Sequence, residues 1–252
     1  MIYNNDCRDH LVACKPGDYD TVFMDPPDNL GLKYGAYRDK IPDDLYYYGL
    51  IRPLILESMR VAKVVWVSYY WQHDLEIKSL VRDLLNNYRP SWRAKTFLWR
   101  YTFGQHSHSD CGSGFRFLLR LSSHGWRPCT DDIRVPSQRQ ALGDKRADPR
   151  GRVPDDVWSF DTEGVWAEFP RVVGNSKERR TWHPTQHPEG LMERILKLSG
   201  SKRVFDCFLG TGTTLRVAQR LGIECDGTEI DPDYCRRIGA ELGVKVSGLL
   251  GQ

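Results

Sequence analysis

The sequence has no stretch approaching 18 consecutive apolar residues, which argues against a membrane-spanning helix. Its first residues, Met1-Ile2-Tyr3-Asn4-Asn5-Asp6, lack the basic and apolar regions of a signal peptide, so the expectation is a soluble, cytoplasmic protein with no membrane partner. No C-x-x-C pair occurs among the seven cysteines. Their odd number and wide spacing suggest neither a disulfide framework nor a paired-cysteine zinc site, and they read as reduced, mostly buried thiols. There is no internal repeat and no long low-complexity tract. Charge of one sign is also scarce: 36 Lys and Arg against 33 Asp and Glu leave +3, too small an excess to predict a nucleic-acid partner from the total. What is present is globular: 40% hydrophobic and 27% charged residues over 252 positions. That length fits one large α/β domain with an insertion as well as two small domains.

Along the chain, Thr21-Val22-Phe23-Met24 is a short apolar run stopped by Asp25-Pro26-Pro27, and two prolines cannot continue a ladder. It reads as a buried strand with Asp25 at its carboxyl end. Helical spacing over 43–60, an apolar strand over 61–70 and a helix over 75–85 follow. Strands are expected over 95–103 and 114–121, joined by a polar loop. Regular patterning returns with a helix over 189–198, a strand over 203–207, a helix over 213–221, a strand over 223–229 and a helix over 231–242. The strand, helix and strand within this stretch make a βαβ unit with parallel strands.

Between them the composition changes. Residues 123–152 hold seven basic side chains (Arg127, Arg134, Arg139, Lys145, Arg146, Arg150, Arg152) against four acidic ones, a local +3 equal to the surplus of the whole chain. Two readings stand: a solvated, poorly ordered loop, or an insertion whose arginines reach phosphates and base edges.

Two segments carry chemistry. In Val204-Phe205-Asp206-Cys207-Phe208-Leu209-Gly210-Thr211-Gly212-Thr213-Thr214 a strand passes through two glycines into a helix, which lets backbone approach a ligand and offers free N–H groups. Glu229 lies 19 residues beyond Gly210 at the end of the next strand, where a carboxylate can accept both ribose hydroxyls of an adenosine-containing cofactor. Leu215 breaks the dinucleotide fingerprint G-x-G-x-x-G, which disfavours NAD. The second segment, Asp25-Pro26-Pro27-Asp28, sets carbonyls beside a carboxylate, a concentration of acceptors suited to an amino group. Alone, it also reads as a rigid proline turn with a capping Asp.

Taken together, DPPD at 25–28, HPTQHP at 183–188 and DCFLGTGTT at 206–214 resemble the S-adenosylmethionine-dependent amino-group DNA methyltransferases. Catalytic motif first, recognition insert between and cofactor motif last is the order of the circularly permuted β class, which residues 175–182 also resemble. The resemblance runs from Asn5 to about Ala240. It implies a Rossmann-like fold, a mostly parallel twisted sheet with helices on both faces, forming a single methyltransferase domain over 1–252 with an inserted target-recognition region over 123–165. It also implies S-adenosylmethionine as cofactor, held by Asp6, Asp25, His183, Pro184, Thr185, Asp206, Phe208, Gly210, Gly212, Thr213, Thr214 and Glu229, with Asp6 meeting the adenine amino group. Asp25 and the Pro26 carbonyl, with Pro27 and Asp28, would form the catalytic turn that holds the target amino group of a flipped-out base. Arg127, Arg134, Arg139, Arg146, Arg150 and Arg152 would contact DNA. No metal is required.

One position departs from the family pattern. Asp28 stands where an aromatic residue stacks on the target base, a contact worth roughly 1–3 kcal/mol. Tyr34 or Tyr37 could supply the missing ring, Asp28 could hydrogen-bond an unusual base, or the protein could retain the fold without activity. Asp at the head of the motif favours adenine over cytosine as target. A catalytically impaired DNA-binding protein is the alternative from another class. The small insert implies a short recognition sequence, or a homodimer; a partner nuclease is not specified. Two further clusters have plain readings. His106 to Cys111 is a surface loop rather than a zinc site, for want of a second ligand pair, and the aromatics at 46–48 and 66–71 are packing residues.

Overall fold

The computed structural model describes residues 1–35, 37–105, 108–159 and 167–248. In chain order the elements are β1 (Ile2–Tyr3), α1 (Cys7–Ala13), β2 (Thr21–Met24), β3 (Lys33–Tyr34), β4 (Tyr37–Arg38), a π-helical segment (Leu45–Ile51), α2 (Arg52–Val61), β5 (Val64–Tyr69) and α3 (Asp74–Asn87). There follow β6 (Arg93–Gln105), β7 (Ser113–Ser122), α4 (Gln138–Ala141), β8 (Val157–Trp158), α5 (Glu189–Ser199), β9 (Arg203–Asp206), α6 (Thr213–Leu221), β10 (Glu224–Thr228), α7 (Pro232–Leu242) and β11 (Val246–Ser247).

Nine strands form one sheet in the order β11-β1-β10-β9-β2-β5-β7-β6-β8. β2 lies parallel between β9 and β5, so the first and last thirds of the chain share the sheet's centre. β7 runs antiparallel to both β5 and β6. Strand alternation divides the core. Val22 and Met24 of β2 and Val65 and Val67 of β5 face α1, α2 and α3, where Leu11, Leu54, Ile55 and Leu84 meet them. Phe23, Val64 and Trp66 face the other way, against Leu191, Ile195 and Val217 of α5 and α6. All four residues of β2 are buried, as the apolar run requires.

The structure departs from the sequence reading at two places and narrows an open reading at a third. The expected helix over 43–60 opens as a π-helical turn, with the Arg52 N–H bonded to the Tyr47 carbonyl. Pro53, in the first turn of α2, has no N–H for the Gly49 carbonyl, which accepts from Arg8 Nη1 at 3.3 Å instead. The two-residue strands β1 and β11 are too short to leave a periodic pattern, yet they extend the sheet through Ile2↔Gly227 and Ile2↔Val246. The arginine-rich insert is folded rather than a loose loop. It leaves the sheet where the Ser123 N–H meets the Lys63 carbonyl, docks where the Cys129 N–H meets the Leu198 carbonyl, forms a bridge between Val135 and Arg152, and rejoins the sheet edge as β8. Its residues 160–165 lie outside the described residues.

No helix among the described residues is long and apolar enough to cross a membrane. His106 lies outside them, His108 and Cys111 are exposed, and no group of three or more potential metal ligands occurs among the described residues.

Candidate active site

Parallel strands end together, and the crevice outside their carboxyl ends is the place such sheets bind ligands. Here β2, β9 and β10 deliver Asp25, the turn after Asp206, and Glu229 to one cavity of about 590 Å³, inside the 300–1,000 Å³ range of small-molecule sites. Its walls include Asp6, Asp25, Pro26, Pro27, Asp28, Tyr34, Tyr37, His183, Pro184, Thr185, Asp206, Phe208, Gly210, Thr213, Thr214 and Glu229. Three motifs thus line one space, the first of them more than 150 residues from the other two in the chain.

The proline turn is anchored from outside. The Pro27 carbonyl accepts from the Tyr46 hydroxyl at 2.8 Å, and the Asp28 carbonyl lies 2.8 Å from His73 Nε2, whose other ring nitrogen is 2.7 Å from the Tyr47 hydroxyl. Two members of the tyrosine cluster at 46–48 therefore act as buttresses. The Asp25 carboxylate meets Arg116 Nη2 at 2.9 Å through Oδ1 and His187 Nδ1 at 3.2 Å through Oδ2. Burial alone would raise this carboxyl, but His187 and the Arg116 guanidinium bring it well below the usual carboxylate range. Asp25 is therefore a permanent acceptor at working pH. Asp28 takes Arg116 in a fork, Nη1 to Oδ2 at 2.8 Å and Nη2 to Oδ1 at 2.9 Å. Tyr34 stands near both acids, with its ring centroid 5.6 Å from that of His183; burial, then the charges of Asp25 and Asp28, hold its phenol well above the ordinary value.

The other half of the cavity is built for hydroxyl and amino donors. Burial pushes Glu229 up to about 7, although its oxygens accept the N–H groups of Asp231 at 2.9 Å and Gly210 at 3.0 Å. Burial likewise pushes Asp206 up to about 6 against the Phe208 N–H at 2.9 Å. Gly210 adopts φ +52, and a Cβ there would press on the His183 ring at 3.2 Å. Such a turn, flanked by partly buried acceptors, fits the adenosine and methionine portions of S-adenosylmethionine. Asp6 is on the wall but already engaged. It caps α1 through the Arg8 N–H at 2.9 Å and holds the Arg8 side chain through both oxygens, the principal cause of its lowered carboxyl value.

Not every expected residue reaches the cavity. Gly212 is not on its wall; at φ +76 it starts α6, and a Cβ would strike Ile238 at 2.6 Å, so its place is in helix packing. None of the six arginines of the insert lines the cavity either. Arg134 pairs with Asp131 and Asp148, Arg146 with Asp144, Arg150 with Asp131 and Asp148, and Arg152 with Asp155. Arg127, beside the place where the insert docks on the carboxyl end of α5, and Arg139 are both exposed. Sequence reasoning in turn missed Arg116, Ser68 and His187 as partners of Asp25, and Tyr70, Tyr101 and Arg171 as wall residues. Arg116 is one of two cations in β7, with Arg120, and nothing local to the strand distinguishes the one that reaches Asp25.

The class defined by this fold and site is the S-adenosylmethionine-dependent amino-group DNA methyltransferases of permuted motif order. The chain belongs to that family: the N6/N4 family model, described as DNA methylase, matches residues 19–241. It is 33% identical over 248 residues to the type II methyltransferase M.ScaI of Streptomyces caespitosus, covering 93% of this chain and 78% of that one. To the type II methyltransferase M.BglII of Bacillus subtilis it is 27% identical, spanning 92% of this chain and 66% of the relative. To the DNA adenine methyltransferase YhdJ of Escherichia coli it is 28% identical, over 93% and 80%. Among solved structures, the cytosine-N4-specific PvuII DNA methyltransferase superposes with TM-score 0.64 at 13% identity, over 93% of this chain and 83% of that one. The M1.HpyAVI–SAM complex does so with TM-score 0.61 at 16% identity, over 97% and 99%, so the permuted Rossmann-like fold is shared.

Proposed function

We propose that the chain methylates the exocyclic amino group of adenine in DNA, with Asp25 as the acceptor that holds that group for attack. The observation that carries this reading is the placement of Asp25: its carboxylate stands at the end of β2, fixed on both oxygens, in the same cavity as the Gly210 turn and Glu229. S-adenosylmethionine supplies an activated methyl group there. The lone pair of an aromatic amine is delocalised and weakly nucleophilic. Acceptors on its two hydrogens, Asp25 and the Pro26 carbonyl, favour a pyramidal nitrogen and a free lone pair. The methylated nitrogen must lose one proton, and Asp25, hydrogen-bonded to that nitrogen but too weak a base to keep the proton, would hold the group while the proton passes to solvent. Glu229 and the Gly210 turn position the donor, and positioning supplies much of the rate.

Because the target nitrogen is paired within the duplex, the base must be extruded, at a few kcal/mol. Tyr34 and Tyr37, both on the cavity wall and close in the chain to the catalytic turn, are the first rings to receive it, with Tyr70 and Tyr101 also on that wall. Residues 123–165 form the target-recognition insert in this reading, within one domain, and the exposed Arg127, Arg139 and Lys145, outside its ion pairs, are its first cations for a phosphate. An insert of this size reads few bases, which accords with a short site or a homodimer. Mass spectrometry of nucleosides from DNA treated with the enzyme and labelled cofactor tests the target. N6-methyladenine is expected; N4-methylcytosine would shift the reading to cytosine, and no methylated base from a cofactor-binding protein would leave only a DNA-binding module.

A further inference from the structure

We propose that Arg116 is the positioning residue that allows Asp25 and Asp28 to stand side by side, and that Asp28 serves here as the anchor of that arginine rather than as a surface for the base. The inference rests on the methyl-transfer reading of Asp25.

Four hydrogen bonds define the arrangement. Arg116 gives Nη1 and Nη2 to the two oxygens of Asp28, Nη2 also to Asp25 Oδ1, and Nε to Ser68 Oγ at 2.7 Å. Ser68 Oγ lies 3.1 Å from His187 Nε2, and His187 Nδ1 returns to Asp25 Oδ2, so the ring of side chains closes on the catalytic carboxylate. All of this is shielded: side-chain exposure is 13% for Arg116, 23% for Asp25 and 16% for Asp28. Two carboxylates in one shielded site repel, and the usual outcome is a proton held on one of them. A proton on Asp25 would remove the acceptor on which amine activation depends. A guanidinium cannot lose its proton in a protein, and its planar fork matches two carboxylates at once. The other ionisable groups around Asp25 are His187 and His183 of the segment before α5, Tyr34 of β3, Tyr46 of the π-helical turn and Asp206 of β9; only the histidines can add positive charge, and Arg116 alone does so at every pH. An aromatic side chain at position 28 needs no such cation. The aspartate and the arginine therefore make sense only as a pair, and β7 supplies the second member from 88 residues away.

The test is a double-mutant cycle on methyl transfer in single turnover, read as a pH profile, with cofactor binding by calorimetry as the check of folding. Arg116→Met should lower the rate near neutral pH about 100-fold or more and move its acid limb upward by about one pH unit or more. Asp28→Asn added to it removes the repulsion and should recover at least about tenfold, with the acid limb returning. The double variant also leaves no unpaired charge from the pair, which keeps the test open if Arg116→Met folds poorly. An unmoved acid limb in Arg116→Met, or a double variant no faster than the single, overturns the inference. An inactive wild-type protein that binds cofactor would instead strike the underlying reading of function.

Discussion

Glu229 shows most directly how a residue's surroundings become a measurable property. Its carboxyl sits near 7 because burial disfavours the charge, while ribose hydroxyls donate more strongly to the ionised form, which can accept on both oxygens. Cofactor affinity should therefore weaken as pH falls through 7, and Glu229→Gln should bind more weakly yet lose that pH dependence; calorimetry across pH 6–8 reads both. Stability runs the opposite way. Between the ordinary glutamate value and 7 the folded protein holds a proton that the unfolded chain has released, so rising pH destabilises the fold, by at most roughly 1.4 kcal/mol per pH unit. Denaturant unfolding of the cofactor-free protein at pH 5 and pH 7 should show this loss, and Glu229→Gln should show less of it. At this scale the sequence was legible for Asp25, Asp206, Phe208, Gly210 and Glu229, each fixed by its distance from a strand end. Arg116 was not, because no local pattern announces a partner that arrives from another strand.

Among the elements, the turn into α6 illustrates a motif residue whose duty differs from its neighbours'. Gly212 and Gly222 bound the same helix and both adopt positive φ, at +76 and +67. A side chain strains the backbone at either position, but only at Gly212 would a Cβ strike buried Ile238. Gly212→Ala should therefore cost about 1–3 kcal/mol more than Gly222→Ala, measured by urea unfolding; equal losses would remove the close contact from the account. Helix and strand bounds came within a few residues wherever the apolar period was strong, as at α6 and β2. They failed at the π-helical turn, where one proline redirects hydrogen bonding, and at β1 and β11, which have too few residues to show a period.

For the molecule as a whole, motif order was enough to place the ends of the chain beside one another: β9 and β2 pair at the centre of the sheet. Charge distribution was harder to read. The insert's cationic surplus suggested a surface for DNA, yet Arg134, Arg146, Arg150 and Arg152 meet aspartates of the same segment. Composition counts charges, whereas a cation already paired inside its own segment brings less net charge to a phosphate than one left without an internal partner. Arg134→Ala should accordingly loosen the insert, seen as faster local proteolysis, and change the salt dependence of DNA binding by less than one phosphate contact. A fall of about 0.9 in the slope of log affinity against log salt would show that Arg134 binds DNA.

The central claim is that Asp25 activates the amino group while the Gly210 turn and Glu229 hold the methyl donor. It is tested most directly by measuring single-turnover methyl transfer to DNA and S-adenosylmethionine affinity together in wild type and Asp25→Ala. The account predicts transfer reduced by about 10²–10⁴-fold or more, with cofactor affinity changed by only a few-fold. Transfer that survives in Asp25→Ala, or affinity that collapses along with transfer, would contradict it.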